Sequence, residues 1–237
     1  MAHQLELLGC TPDKIRVHHL GVDVKRIEFI PRTLRSGEPV RLLLAASFTE
    51  KKGIPYAIEA FAKALEKHPN MELRIIGDAS NNTKQQGLLR YCQRLVMEAK
   101  ISDKVFFLGY LPYPDYVREL QSAHLFLAPS VTAADGDVEG GAPVAIIEAS
   151  AAGLPIISTW HCDIPSVVLH ERSGLLVKER DIEQLAAAIS HLAASPQQWT
   201  KMGHVGRRHV ELEYSASRQS ERLEELYAQL IGYGSIE

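Results

Sequence analysis

The sequence predicts an α/β protein, built as a single Rossmann-like, doubly wound parallel sheet that is followed by a helical C-terminal tail. From residue 40 onward, short apolar runs alternate with longer segments of helical period, and the connections between them are short. The apolar runs are continuous, which is typical of parallel strands that helices cover on both faces. Six such runs suit one doubly wound domain.

Each apolar run and each periodic segment is assigned to an element. The predicted strands are residues 40–47, 73–77, 104–109, 124–130, 155–159 and 174–177. The predicted helices are residues 53–68, 84–100, 115–123, a helix from about Pro143 that Gly153 and Pro155 stop, a short piece at 164–169, and 181–194 with Asp181 as its cap. Helix 53–68 presents Ile58, Phe61, Ala62 and Leu65 on one face.

The 237 residues are enough to bury a sizeable core. We predict three parts: residues 1–39, a linker and the remainder of a preceding domain; residues 40–195, the Rossmann-like domain; and residues 196–237, a helical tail that packs on it. The first part is assigned separately because a compact domain rarely begins with such a long irregular lead. The tail shows no strand signal, and residues 196–231 are predicted to be helical throughout.

Composition excludes several classes of protein. The net charge is −3 with no long run of one sign, which argues against a nucleic-acid partner. Cys10, Cys92 and Cys162 are odd in number and far apart, so neither a disulfide framework nor a CxxC metal site is expected. No apolar run approaches 18 residues and no signal peptide is visible. We expect a cytoplasmic protein, with peripheral contact at the inner membrane face left open.

The segment DGDVEGGAPVAIIEASAAGLP, residues 135–155, joins a strand to a helix at the C-terminal edge of the sheet. Gly140 and Gly141 precede the helix, and Pro143 suits its first turn. Bare backbone beside a helix N-terminus favours an anion such as phosphate, and ligands bind open α/β sheets at this edge. A flexible glycine-rich loop with no ligand is the alternative.

Glu148 is an isolated carboxylate in the middle of that helix. Its neighbours one turn away are Val144, Ala145, Ala151 and Ala152, so no basic residue pairs with it on its own face. A buried carboxylate needs hydrogen-bond donors, and the two adjacent hydroxyls of a ribose would supply them. The alternative is that Glu148 marks a solvated stripe of the helix.

Three further loops are expected at the same edge. Lys51 and Lys52 follow the first strand, where a lysine can meet a diphosphate, although two solvated surface lysines are the simpler explanation. Gly77–Asp78 and Gly109–Tyr110 end the second and third strands and could each be only a tight turn. Four such loops together favour a binding pocket.

Together these segments resemble the C-terminal, donor-binding domain of GT-B glycosyltransferases, specifically the retaining family called glycosyl transferases group 1. The resemblance covers about residues 40 to 180, and HHLGVDVKRIEF resembles the family's interdomain segment. The matched segments, in family order, are FTEKKGIPYAIEAF, LRIIGD, VFFLGYLPYPDY, HLFLAPS, EGGAPVAIIEASAAGLPII and SGLLV.

The resemblance implies a nucleotide-diphosphate sugar as co-substrate, most simply a UDP- or GDP-sugar, with no tightly bound cofactor and no metal. Lys52, with Lys51 beside it, would hold the diphosphate, Glu148 the ribose, and Glu139 the donor sugar near its anomeric centre. Lysine and the helix dipole would stabilise the leaving diphosphate. The remaining contacts would come from Ser47, from Gly77 and Asp78, from Gly109, Tyr110 and Leu111 to the base, and from the backbone of Gly140, Gly141, Ala142, Pro143 and Val144.

Two departures from the family pattern stand out. The family usually separates its two glutamates by seven residues, whereas eight lie between Glu139 and Glu148. Either the loop bulges by one residue or Gly140 takes the expected position. The family also often carries Arg where this chain has Ser47, which removes a bidentate phosphate contact unless another residue such as Arg74 replaces it.

GT-B enzymes close two Rossmann-like domains around a cleft, and this chain has room for one. We therefore expect the donor-binding half of a retaining glycosyltransferase, which binds a nucleotide sugar but transfers nothing without the N-terminal acceptor domain. The acceptor would be a glycan, a lipid or a small molecule. A non-catalytic sugar-nucleotide-binding or scaffolding module is the main alternative, since Ser47 and the altered spacing depart from the family pattern.

Other functions fit less well. The third hypothesis is an epimerase or a phosphorylase of the GT-B fold. A phosphorylase of this fold needs a lysine-bound pyridoxal phosphate, for which no sequence context exists, and a dehydrogenase would show GxGxxG after the first strand. His18, His19, His161 and His191 are predicted to have surface or packing roles by default, with His161 at the edge of the cleft.

Overall fold

The computed structural model describes residues 2–79 and 82–232. It contains one six-stranded sheet in the order β3-β2-β1-β4-β5-β6, and every pair of neighbouring strands is parallel. The strands are β1 Val40–Ala45, β2 Met71–Ile76, β3 Val105–Gly109, β4 Leu125–Ala128, β5 Ile156–Thr159 and β6 Gly174–Val177. All six predicted strands are present, and the predicted doubly wound α/β class is confirmed.

Helices connect and cover these strands. They are α1 Ala2–Leu7, α2 Ile54–Leu65, α3 Thr83–Glu98, α4 Tyr113–Ser122, α5 Val144–Ala151, α6 Ile164–Val167, α7 Ile182–Ala193, α8 Trp199–Glu213 and α9 Ala216–Ile231. Short 3-10 turns lie at Pro12–Lys14, Val24–Arg26, Glu50–Lys52 and Pro196–Gln198. Within the described ranges, no helix is long and apolar enough to cross a membrane.

The sheet is buried on both faces, which explains why its strands are continuous apolar runs. Leu42 and Leu44 of β1 belong to the core beneath α2, α3 and α7, whereas Leu43 belongs to the core beneath α4, α5 and α8. Side chains alternate between the two faces of a strand, so a strand covered on both sides needs an apolar residue at every position.

Helix α2 packs on the sheet and on α7 at once. Ile58 and Phe61 are fully buried, as expected, but Ala62 and Leu65 are only partly buried. The buried stripe is shifted toward residues such as Ala57, because the second partner, α7, covers that side of the helix. Helix α7 begins as predicted, with the Asp181 carboxylate accepting the Gln184 N–H at 2.9 Å.

The C-terminal tail is not one continuous helix. It breaks at Tyr214 and Ser215, between α8 and α9, where the backbone meets the segment before β1. Val22 N–H donates to the Tyr214 carbonyl at 2.8 Å, and Ala216 N–H donates to the Val22 carbonyl at 2.9 Å. These two bonds satisfy backbone groups that helix ends leave free, so the break is a docking point for the N-terminal segment.

The segment before β1 contacts the same core as the strands. Val22, Val24 and Ile27 are buried in the layer that contains α5. Arg32 is also buried and donates to the carbonyls of Gln121, Ala123 and Ala152 at 2.6–3.0 Å, and its burial lowers the guanidinium pKa to about 10. The division into residues 1–39, 40–195 and 196–237 stays a prediction.

Candidate functional site

The order of the strands reverses between β1 and β4, which are neighbours in the sheet although two strands separate them in sequence. In open α/β sheets, ligands bind in the crevice that forms beyond the carboxyl ends of strands at such a reversal. Two loops meet here: residues 46–53 after β1 and residues 129–143 after β4. Val131 N–H donates to the Lys51 carbonyl at 2.8 Å and joins the two loops directly.

Gly53 permits this close crossing. Its φ is +64°, in the left-handed region, and a Cβ at this position would lie 1.9 Å from the Pro129 carbonyl oxygen. Only glycine can bring the backbone of the first loop against the second in this way. The lysine–glycine pair at residues 52 and 53 therefore places Lys52 at the mouth of the crevice.

Lys52 and Glu139 form an ion pair across the crevice. The Lys52 ammonium donates to both carboxylate oxygens of Glu139, at 2.7 and 2.9 Å, and the Ser130 hydroxyl donates to one of them at 2.9 Å. Glu139 is only 7% exposed. Lys51 points differently: its ammonium donates to the Asp137 carboxylate and to the Val138 carbonyl, each at 3.1 Å, and so holds the second loop.

His161 is more deeply involved than the sequence indicated. It is 1% exposed and lies just after β5, where its Nε2 accepts the backbone N–H of Glu139 at 3.1 Å. Its Nδ1 lies 2.7 Å from a carboxylate oxygen of Glu179. Sequence reasoning missed Ser130 and Glu179 altogether, since nothing in the spacing of residues 130, 161 and 179 shows that their loops meet.

Two cavities open at the crevice. The larger, of about 900 Å³, is lined by Lys52, Glu139 and residues 140–144 on one side and by residues 15–21 on the other. The smaller, of about 220 Å³, lies between the ends of β1 and β4 and shares Lys52, Glu139 and Pro143. The structure therefore brings the predicted diphosphate and sugar residues together around one space.

The N-terminus of α5 faces the larger cavity. Pro143 caps the helix, and its carbonyl accepts the Ile146 N–H at 3.0 Å, so the amides of Val144 and Ala145 precede the first intrahelical bond. A Cβ on Gly140 would meet no atom within 4 Å, and one on Gly141 only a carboxylate oxygen of Asp163 at 3.9 Å. The glycines thus leave open space beside the positive end of the helix dipole.

Glu148 lies on the other side of α5 and is half-buried. Its partners come from α4, where the Tyr113 and Tyr116 hydroxyls lie next to its carboxylate, although the Tyr116 hydroxyl completes no hydrogen bond of standard geometry. Burial raises the pKa of Glu148 above its ordinary value, and the two hydroxyls oppose this only in part. The signal in the sequence was the three-residue spacing of the tyrosines in YPDY, which places both on one face of a helix.

The remaining predicted residues lie over β2 and β3. Gly77 N–H donates to the Gly109 carbonyl at 2.9 Å, which joins the two loops at their start. Beyond this point Asp78 and Tyr110 are exposed, and Leu111 packs against the core. Ser47, at the end of β1, is exposed as well. Glu148 and these residues do not line either cavity described above.

Arg74 does not replace the arginine missing at position 47. Its guanidinium makes two bonds to the Glu119 carboxylate, at 2.7 and 2.8 Å, and lies over the Phe106 ring. The hydrogen bond to Glu119 raises the pKa of Arg74. This arginine therefore fastens α4 to the sheet, and its charge is already neutralised.

The fold and the crevice define one Rossmann-like domain of the GT-B type. The structure of Anabaena Alr3699/HepE in complex with UDP superimposes with a TM-score of 0.84 at 16% identity, over 96% of this chain and 61% of that one. The sequence profile of the glycosyl transferases group 1 family matches residues 25–209. The chain belongs to that family.

Curated relatives point the same way. The amylovoran biosynthesis glycosyltransferase AmsK of Erwinia amylovora is 33% identical over 228 residues, which cover 96% of this chain and 54% of AmsK. The putative colanic acid biosynthesis glycosyltransferase WcaL of Escherichia coli K12 is 38% identical over 195 residues, which cover 81% of this chain and 46% of WcaL. The chain spans about half the length of these relatives.

Proposed function

We propose that the chain is the donor-binding half of a retaining glycosyltransferase that uses a UDP- or GDP-sugar. The observation that supports this most strongly is the arrangement of residues where the strand order reverses, between β1 and β4. There Lys52, Glu139 and the N-terminus of α5 border one cavity. A cation and free backbone amides are groups that bind a diphosphate, and a carboxylate beside them can accept hydrogen bonds from the adjoining sugar.

The diphosphate would lie between Lys52 and the first turn of α5. The Lys52 ammonium has three N–H groups, so it can donate to Glu139 and to a phosphate oxygen at once. The amides of Val144 and Ala145, with the helix dipole behind them, would bind the other oxygens. Both groups are fixed before the reaction begins, so they would stabilise the negative charge that grows on the leaving diphosphate without a metal ion.

Glu139 would bind the donor sugar. Its carboxylate has two oxygens and accepts from Lys52 and Ser130, which leaves acceptor capacity for sugar hydroxyls. No side chain fills the space at the neighbouring Gly140, so a sugar placed there would have its anomeric centre within reach of the Glu139 carboxylate. This arrangement favours Glu139 as the first acid, with the extra residue before Glu148 accommodated in the loop.

Glu148 would accept hydrogen bonds from the two ribose hydroxyls. The bound hydroxyls would replace water around a carboxylate that burial makes costly to ionise. The base would extend past α4 onto Gly109, Tyr110 and Leu111. Ser47, Gly77 and Asp78 would border the nucleotide at the ends of β1 and β2.

The acceptor would be a glycan, a lipid or a small molecule held by an N-terminal acceptor domain. The named relatives belong to amylovoran and colanic acid biosynthesis, which favours a growing glycan as the acceptor. We propose cytoplasmic location, with any membrane contact made through the acceptor domain. This chain alone would bind the nucleotide sugar and transfer nothing.

A thermal-shift screen of UDP-, GDP- and ADP-sugars tests the proposal. Ligand at 100 times its Kd stabilises a folded protein by about 2.7 kcal/mol, which corresponds to a rise in Tm of roughly 5–10 °C at this size. We expect such a rise with one nucleotide class, its loss in Lys52→Ala, and its retention in the exposed control Lys201→Ala. No shift with any nucleotide sugar would contradict the proposal.

A non-catalytic sugar-nucleotide-binding or scaffolding module is the second candidate, favoured by Ser47 in place of arginine. The variant Ser47→Arg separates the two by its affinity for UDP and GDP. If Lys52 and α5 suffice, Kd should change by less than about threefold. A gain of more than about tenfold, equal to 1.4 kcal/mol, would indicate a decayed phosphate site and favour the module.

A further inference from the structure

The loop between β4 and α5 carries Glu139, and two side chains, the buried His161 and the partly buried Glu179, hold it near both ends. Near its start, Thr132 N–H donates to Oε2 of Glu179 at 2.8 Å. Near its end, Glu139 N–H donates to Nε2 of His161 at 3.1 Å. His161 and Glu179 are themselves joined at 2.7 Å. The backbone at positions 132 and 139 is therefore held by one connected unit.

The contacts of His161 define its tautomer. A backbone N–H can only donate, so Nε2 must be the unprotonated acceptor and Nδ1 must carry the proton. That Nδ1–H then donates to Oε1 of Glu179. The Cys162 sulfur lies 3.3 Å from Nε2 and faces the same Glu139 N–H. Burial raises the pKa of Cys162, so the thiol keeps its proton.

Glu179 is held as a carboxylate in return. Burial pushes its pKa upward, but the Thr132 N–H and His161 outweigh this, and the pKa of Glu179 lies below its ordinary value. Both oxygens are in use, one toward the imidazole and one toward the loop. The unit is thus a carboxylate, a neutral imidazole and two backbone amides, each donor matched to an acceptor.

We propose that His161 and Glu179 are positioning residues, which fix the backbone of Glu139 so that its carboxylate faces the donor sugar. The proposal rests on the function proposed above. Neither side chain is needed to bind the diphosphate, which Lys52 and α5 would hold. Substitution of either residue should therefore weaken binding of the sugar and leave the affinity for the nucleotide unchanged.

The test compares affinities of the 237-residue chain for UDP with UDP-glucose, and for GDP with GDP-mannose, by calorimetry. His161→Phe removes the acceptor and the donor, whereas His161→Gln retains an acceptor near the position of Nε2. We expect His161→Phe to raise the ratio of the Kd for nucleotide sugar to the Kd for nucleotide about tenfold, as for one lost buried hydrogen bond. His161→Gln should stay within about threefold of wild type.

Glu179→Gln and His191→Phe complete the set. Glu179→Gln should shift the ratio in the same direction as His161→Phe, because its amide no longer selects the Nδ1–H tautomer. His191 is exposed on α7, away from the crevice, and its variant should match wild type. Equal weakening of nucleotide and nucleotide-sugar binding, or an unchanged ratio in His161→Phe, would overturn the proposal.

A second measurement needs neither ligand nor variant. In a long-range ¹H–¹⁵N spectrum of the free chain at pH 7, His161 should show a protonated Nδ1 and a bare Nε2. An Nε2–H tautomer or an imidazolium would overturn the positioning role even if the variants fail to fold. If the spectrum agrees but wild type binds no nucleotide, the proposed function fails while the attachment of the loop stands.

Discussion

The two ends of the candidate site differ in how firmly the chain holds them. At the crevice between β1 and β4, Glu139 is buried, and its carboxylate and amide bond to Lys52, Ser130 and His161. Over β2 and β3, the Gly77 N–H donates to the Gly109 carbonyl, and beyond this hydrogen bond the side chains of Asp78 and Tyr110 are exposed to solvent. The charged chemistry would thus occur where the structure is fixed in advance.

This difference has a physical reason. Charge stabilisation in a transition state depends on donors that do not have to reorganise, so the groups around a diphosphate gain from being fixed. Stacking and edge contacts to a base tolerate small movements. Glu148 lies between the two regions, half-buried beside the Tyr113 and Tyr116 hydroxyls of α4.

The largest expected effect compares two glycines with nearly the same backbone angle. Gly53 in the crevice has φ +64°, and Gly109 at the open edge has φ +67°. Gly53→Ala should lower the free energy of unfolding by about 3 kcal/mol, because its Cβ would collide with the Pro129 carbonyl. Gly109→Ala should cost only about 1 kcal/mol, the ordinary penalty for a left-handed alanine.

Urea denaturation of both variants measures the difference. Because both glycines have nearly the same left-handed backbone angle, the larger loss of unfolding free energy in Gly53→Ala measures the close approach of the two loops. Equal losses at the two glycines would mean that the crevice is no tighter than the open edge of the site.

Removal of the lysine should be nearly as severe. In Lys52→Ala, the buried carboxylate of Glu139 loses its cation, so the free energy of unfolding should fall by about 1–3 kcal/mol. The Kd for UDP or GDP should rise roughly 30- to 100-fold, as expected for a charge-assisted phosphate contact. Lys201→Ala is the matched control for both measurements.

The double variant Lys52→Ala/Glu139→Gln separates the two effects. It removes the unpaired charge and should recover most of the stability, but it should not recover nucleotide affinity. Recovery of affinity together with stability would show that Lys52 acts by holding the loop and not by binding phosphate.

The sequence predicted the fold well because its signals are local or periodic. All six strands lie where the apolar runs predict them. Asp181 caps α7 and α5 ends just before Gly153, both as predicted. The break in the tail at Tyr214 was missed because its cause is distant: the backbone of Val22 pairs there. Contacts between elements far apart in sequence leave no periodic trace.

A smaller effect of opposite sign is expected at Glu148. Burial raises its pKa, so the folded chain holds this proton more tightly than the unfolded chain does. Stability is therefore lost as pH rises from the unfolded value of about 4.3 through the folded pKa. Glu148→Gln should raise Tm by roughly 1–3 °C at pH 7, and the gain should shrink toward pH 4.

The same variant should bind UDP or GDP about tenfold more weakly, since an amide accepts ribose hydroxyls less well than a carboxylate. Calorimetry at pH 7 measures this loss. A variant that is both more stable and equally tight in binding would place the ribose elsewhere.

The smallest effect is expected at the open edge. Tyr110 is 76% exposed, so Tyr110→Ala should change the free energy of unfolding by less than about 0.5 kcal/mol. If the ring contacts the base, the Kd for UDP or GDP should rise by about three- to tenfold, which calorimetry can resolve. A large loss of stability would mean that this loop is as firmly held as the crevice.

Only some of the site residues could be predicted from the sequence. Lys52, Gly140 and Glu148 stand out because they break the local pattern of a strand–loop–helix unit. Ser130, His161 and Glu179 meet through loops whose contacts depend on the order of the strands, and Tyr113 and Tyr116 lie on a different helix from the acid they face. Residue type and spacing alone do not encode such contacts.

The proposed function requires that the crevice between β1 and β4 binds the diphosphate of a nucleotide. A titration of the ¹⁵N-labelled chain with UDP and with GDP, followed by backbone amide shifts, tests it most directly. We expect the largest shifts at the amides of residues 140–142, 144 and 145 and around Lys52, with smaller shifts at Gly109 to Leu111. Shifts confined to other surfaces, or none at millimolar nucleotide, would contradict it.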